Sequence, residues 1–217
     1  MIKNRPAPVC SSPYANIARF ADDSAKPLSK KRMKTDQDFC IYTIGHSTRP
    51  IDEFIGLLKA HNVKRLVDVR TVPRSRHNPQ FNRDALPESL AAEGIHYTHM
   101  AGLGGLRHTT AASPNKGWRN TSFRGYADYM QTPEFVENLE QLIALGQQEQ
   151  VAIMCAEAVP WRCHRSLIAD ALLARDLCTE EIINTQRRQS HKLRSFARVS
   201  GVQVSYPPEQ PINGELF

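Results

Sequence analysis

The chain has 217 residues, 41% hydrophobic and 23% charged, with a net charge of +6. Such values belong to soluble globular proteins and exclude collagen, coiled coil, wholesale disorder and a disulfide mini-scaffold. No apolar run approaches the ~20 residues of a membrane span, and the first residues lack the continuous apolar stretch of a secretory signal. A cytoplasmic protein without membrane contact is expected. Residues 1–38 hold eight Lys/Arg against four Asp/Glu, and the remainder holds twenty against eighteen. The pI of 9.2 is therefore largely a property of the N-terminal segment and is weak support for a nucleic-acid-binding body. The five cysteines have no CxxC spacing, and reduced thiols are expected.

Residues 1–36, with their prolines and the basic run 30–34, read as a disordered extension, and one α/β domain is expected over 39–205. Its first strand is Phe39–Ile44, short, apolar and rich in β-formers. Ile51–His61 has apolar residues at 51, 54, 55, 57 and 58, the pattern of an amphipathic helix. Arg65–Val69 is a second buried strand. Asp84–Glu93 is a second helix with Gly94 as its stop, and Ile95–Met100 a third strand. Residues 101–123 form a long loop rich in Gly, Thr and Asn. Phe123–Gln148 reads as helical, with Pro133 near the start of its main segment. Val151–Met154 is a fourth strand, Ser166–Arg175 a helix, 181–183 a fifth strand and Ser190–Val199 a last helix. The tail after it contains Pro207, Pro208 and Pro211.

Alternating strands and helices at this spacing predict a three-layer α/β fold, a mainly parallel sheet flanked by helices. Ligands of such sheets sit beyond the carboxyl ends of the strands. The unusual polar residues fall there: His46 and Ser47 after the first strand, Asp68 and Arg70 at the end of the second, Cys155 and Glu157 after the fourth. His46, Asp68, Arg70, Cys155, Glu157 and Arg165 are therefore expected to converge on one pocket.

Each segment has its own chemistry. Cys155 ends a strand and precedes a polar loop carrying Cys163, His164 and Arg165 at the start of a helix. A helix N-terminus and neighbouring arginines favour thiolate over thiol, so Cys155 is the expected nucleophile. The alternatives are a small buried residue at a strand end and a Cys155–Cys163 redox pair. Adjacent Cys163 and His164 do not easily share one ion, so no metal is expected, and no cofactor is implied. Four arginines, Arg70, Arg74, Arg76 and Arg83, lie in a proline-spaced loop suited to binding phosphate or carboxylate. Asp68 either orients Arg70 or acts as a general base, with Glu157 and His46 as further catalytic candidates. The substrate or anion would be held by Arg70, Arg74, Arg76, Arg165, Ser47, Cys163 and His164. Leu103-Gly104-Gly105, followed by Trp118, Arg119, Phe123, Arg124 and Tyr126, reads as a base-stacking surface or as a lid with ordinary packing aromatics.

Five motifs in this order resemble domain-of-unknown-function family 488. They are Thr43-Ile44-Gly45-His46-Ser47; Leu66-Val67-Asp68-Val69-Arg70 with Pro73, Ser75-Arg76, Pro79 and Phe81; Leu103-Gly104-Gly105; Cys155-Ala156-Glu157; and Cys163-His164-Arg165. The resemblance spans roughly residues 40–190, and His191 matches a family histidine loosely. It implies a compact α/β domain with a shared site, and neither a reaction nor a catalytic assignment. In outline, Asp68-Val69-Arg70 and Cys155 through Arg165-Ser166 also follow the active loop of rhodaneses and cysteine phosphatases. The loop here is longer and lacks their glycine. Three readings follow: an enzyme with a cysteine-centred, arginine-lined site for a small anionic substrate or nucleotide, a thiol-dependent transferase or hydrolase; a nucleic-acid-associated protein gripping phosphates through the Arg70–Arg83 loop; and a non-catalytic nucleotide or small-anion binding module.

Overall fold

A computed structural model describes residues 39–208. The expected N-terminal extension and Pro211 lie outside the described residues. The elements in chain order are β1 (Cys40–Gly45), α1 (Ile51–Ala60), β2 (Arg65–Asp68), α2 (Leu86–Ala91), β3 (His96–His99), α3 (Thr121–Tyr129), α4 (Pro133–Gln148), β4 (Val151–Cys155), α5 (Arg165–Leu173), β5 (Cys178–Ile182), β6 (Arg188–Ser190), β7 (Arg198–Ser200) and β8 (Gln203–Ser205). One sheet runs β3-β2-β4-β1-β5-β6, and β7 and β8 pair as a separate antiparallel hairpin. Within the sheet β1 to β5 are parallel and β6 is antiparallel. This is an α/β fold. Among the described residues no helix is long and apolar enough to cross a membrane.

Strand alternation builds two cores, one on each face of the sheet. Tyr42, Ile44, Leu66, Ala152 and Met154 meet Phe54 and Leu58 of α1 and Leu86 and Leu90 of α2. Ile41, Val67, Val151 and Ile153 meet Tyr126 of α3, Phe135 and Leu139 of α4, and Leu167 and Leu172 of α5. The four predicted strands through residue 154 and the first helix recur within a residue or two.

Three expectations are corrected. The helix expected over 123–148 is two helices. Pro133 has no N–H to donate and sits in the first turn of α4, with Thr132 as cap, its Oγ1 accepting from Phe135 N. The helix expected over 190–199 is absent. Arg188–Ser190 adds to the sheet as β6, and Arg198–Ser205 turns through Gly201 at φ +59° into the β7–β8 hairpin. Finally, Cys40 and Cys178 form a disulfide while Cys155 and Cys163 are free. The register of β1 on β5 sets Cys40 opposite Cys178 with Cα atoms 4.5 Å apart, a pairing that 138 residues of separation conceal.

The topology also places the site. From β1 the chain leaves by α1 on one face of the sheet, and from the adjacent β4 it leaves by α5 on the other. Diverging connections at neighbouring strands open a crevice at the carboxyl edge. Gly45 lies opposite Cys155, and Asp68 opposite Met154, so the polar ends of β1, β2 and β4 meet there.

Candidate active site

A cavity of about 460 Å³ occupies this crevice, within the range of small-molecule sites. His46, Arg70, Arg74, Cys155, Glu157, Arg162, Cys163 and His164 contribute to its lining, with Val72, Leu106, Phe123 and Tyr126 as apolar wall. Its two loops approach closely because glycines permit it. A Cβ on Gly45 would collide with the Glu157 carbonyl, and one on Gly105 would fall 2.5 Å from His164 Nδ1.

The floor is a pair of thiols. Cys155 Sγ and Cys163 Sγ are 2.6 Å apart, both buried. Helix α5 begins at Arg165, and its backbone N–H points at Cys163 Sγ at 3.5 Å. The helix terminus thus favours Cys163, where the sequence pointed to Cys155. Burial alone would raise the Cys163 thiol. The hydrogen bond from Cys155, the Arg165 charge and that backbone N–H bring it down to about 7. Cys155 is pushed well above the ordinary thiol range, first by its hydrogen bond to Cys163 and then by burial. The two thiols titrate as a coupled pair, and the directions of these shifts favour the proton on Cys155.

His164 completes this floor. Its Nε2–H donates to Val69 O at 2.9 Å, so Nδ1 is bare, and it lies 3.6 Å from Cys163 Sγ. Burial lowers the pKa of His164 and keeps it neutral. A neutral imidazole with a free nitrogen beside a thiol can take its proton.

Asp68 sits behind Arg70 and outside the cavity lining. Its oxygens accept from Arg70 N, Nε and Nη2 and from the Tyr97 hydroxyl. With four of these bonds holding Arg70 and the fifth coming from Tyr97, it has the geometry of an orienting carboxylate. Arg70 also donates to Phe81 O and, through Nη1, to His46 Nε2 at 3.3 Å. His46 donates from Nδ1 to Ser47 O and stacks on Phe81. Burial, together with the nearby Arg70 charge, lowers its pKa to about 4, so His46 is neutral and works as an acceptor for Arg70.

Arg165 lies beneath the thiols, fully buried. Nε donates to Cys155 Sγ at 3.1 Å, Nη2 to Glu157 O at 2.7 Å, and Nη1 to Thr43 Oγ1 and to both oxygens of Glu181. Its hydrogen bonds are spent inside the protein, so it acts on the thiols and does not line the cavity.

The remaining expected residues scatter. Arg74 lines the cavity, and Arg83 lines a neighbouring cleft together with Arg74. Arg76 is exposed and borders neither. Ser47, at φ +50°, presents its carbonyl to His46 and does not border the cavity. Glu157 reaches the cavity wall while its Oε1 accepts from Val159 N. Arg162, one of the arginines expected near the thiols, lines the cavity. Glu181 under Arg165 was not foreseen, because it reads as an ordinary strand residue. Among the described residues no group of three or more His, Cys, Asp or Glu is arranged to hold a metal ion.

The long loop packs over this site. Tyr126 Oη donates to Leu103 O and Tyr129 Oη to Gly102 O, while Arg107 lies over the Tyr129 ring. Asp128 ties the next stretch, accepting from Thr109, Ser113 and Asn115 side chains. Trp118 stacks on Phe123 and meets Phe196 and Tyr206, so it packs against the core and offers no free face for a base.

A family model described as Domain of unknown function DUF488 matches residues 50–172. That span includes Asp68, Arg70, Gly105, Cys155 and Cys163 and stops short of Glu181. No curated protein and no solved structure matches the chain.

Proposed function

The chain belongs to the DUF488 family, and from this membership and the site geometry we propose that it is a thiol-dependent enzyme acting on a small anionic substrate. The observation that carries the reading is the 2.6 Å thiol pair, with Cys163 down at about 7, on the floor of a cavity bordered by Arg70, Arg74 and Arg162. Cys163 is the attacking sulfur, because its thiolate is the form present near neutral pH and a thiolate is the nucleophile. His164 Nδ1 receives the thiol proton when Cys163 starts protonated. Cys155 supplies a hydrogen bond to Cys163. Arg165, Asp68 and His46 are positioning residues acting through Cys155 and Arg70. The arginines draw in a phosphate, sulfonate or carboxylate, and Val72, Leu106 and Phe123 contact an apolar body attached to it.

Thermal-shift measurements across small phosphorylated, carboxylated and sulfur-containing compounds test this. A binding anion raises Tm by mass action. The rise persists in Cys163→Ser, which binds without reacting, and shrinks in Arg74→Ala. A protein that gains no stability from any small anion, yet binds DNA or RNA with a steep salt slope, contradicts the reading and favours a nucleic-acid partner.

A further inference from the structure

We infer that Cys155 and Cys163 work as a dithiol–disulfide couple, and that the substrate class is a small disulfide carrying anionic groups, which the pair reduces by exchange. This deepens the thiol-enzyme reading and rests on it.

The two sulfurs are in direct contact, and both line the same cavity. A Cys–His hydrolase needs one thiol and no second thiol in its path. Here the second thiol is where a resolving cysteine has to be. The pair is also asymmetric in the sense that exchange requires. The best attacking thiol has a pKa near the ambient pH, and Cys163 lies at about 7, while Cys155 stays protonated until it is needed.

The exchange balances in two steps. In the first, Cys163 thiolate attacks one sulfur of R–S–S–R. A Cys163–S–S–R bond forms, the substrate S–S bond breaks, and one RS⁻ leaves through the cavity mouth. Cys163 is then no longer an anion. The hydrogen bond that held the proton on Cys155, the largest cause of its raised pKa, disappears. Arg165 Nε, 3.1 Å from Cys155 Sγ, now favours the Cys155 thiolate. The Cys155 proton passes to the departing RS⁻ or to solvent. In the second step, Cys155 thiolate attacks Cys163 Sγ. The Cys155–Cys163 disulfide forms, the mixed disulfide breaks, and the second RS⁻ leaves. The substrate has gained two electrons and the protein pair has lost two. An external dithiol restores the pair by the same exchange in reverse.

The cavity walls select the substrate. With Arg70 balanced by Asp68, Arg74 and Arg162 favour anionic R groups over neutral ones, against the carboxylate of Glu157.

The test uses the full chain with two probes, oxidised glutathione as an anionic disulfide and bis(2-hydroxyethyl) disulfide as a neutral one. After an acid quench, peptide mapping reads every cysteine, so the Cys40–Cys178 bond is tracked separately. Wild type is expected to give a Cys155–Cys163 link. Cys155→Ser accumulates glutathione on Cys163, and Cys163→Ser gives neither product. The anionic probe reacts about tenfold faster than the neutral one, the scale of one charge-assisted contact, and Arg74→Ala narrows that gap. If Cys163 alkylates readily at neutral pH but glutathione stays on it in wild type, with no Cys155–Cys163 link, the couple is wrong and the thiol-enzyme reading survives. If Cys163 also resists alkylation, that reading falls as well.

Discussion

Arg165 and Glu181 form a buried 3.0 Å ion pair, and the same guanidinium donates to Cys155 Sγ at 3.1 Å. Burial pushes Glu181 up to about 7 from 4.5, against the pull of Arg165. A carboxyl raised in the folded state contributes stability while it is protonated. That contribution is complete below about pH 4.5 and is lost as pH rises through about 7. Glu181→Gln removes this dependence. Wild type minus variant, measured by urea unfolding at pH 5 and pH 8, is expected to fall with pH by at most about 3 kcal/mol. An unchanged difference contradicts a titrating Glu181.

His46 makes the opposite signature. Its folded pKa is depressed to about 4 from 6.5 by burial, so its stability contribution is present above about pH 6.5 and is lost as pH falls through about 4. Wild type is expected to lose at most about 3 kcal/mol from this group across that window, and His46→Gln to lose correspondingly less. Urea midpoints at pH 7 and pH 4.5 for both proteins decide it.

Gly105 is expected to tolerate nothing larger. Gly105→Ala drives a methyl into the His164 imidazole, at an overpacking cost of about 1–3 kcal/mol. It also moves Nδ1 relative to Cys163. A variant with native Tm and native Cys163 reactivity would show that the loop yields freely.

Arg74 separates binding from folding. It is exposed and makes no hydrogen bond from its side chain among the described contacts, so Arg74→Ala is expected to change stability by about 0.5 kcal/mol or less. Affinity for a small anion, read by calorimetry, is expected to drop about tenfold. Unchanged affinity removes Arg74 from the site.

How far the sequence reached follows from what each feature depends on. The strands through Met154 were readable as short apolar runs rich in β-formers, and α1 because its apolar residues repeat at the helical period. The shared edge was readable because a parallel sheet forces strand ends together, and His46, Arg70, Cys155 and Glu157 all border the cavity. The division of labour proposed for the two cysteines was not. It turns on where α5 starts: its first N–H reaches Cys163 at 3.5 Å. Glu181 was hidden because its role arises from β5 packing beside β1. Cys40–Cys178 was hidden for the same reason. The end of the sheet was misread because 190–199 contains residues that suit a helix, while pairing with β5 and the Gly201 turn decided otherwise.

The central claim is that Cys163, and not Cys155, carries the thiolate. Alkylation by iodoacetamide from pH 5 to pH 10, with each cysteine quantified by peptide mapping, tests it most directly. The account predicts half-maximal Cys163 labelling near pH 7, with Cys155 unlabelled until far higher pH and an upward shift for Cys163 in Cys155→Ala, which removes the hydrogen bond it receives. Labelling of Cys155 first, or of Cys163 only at the pH of an ordinary thiol, would contradict it.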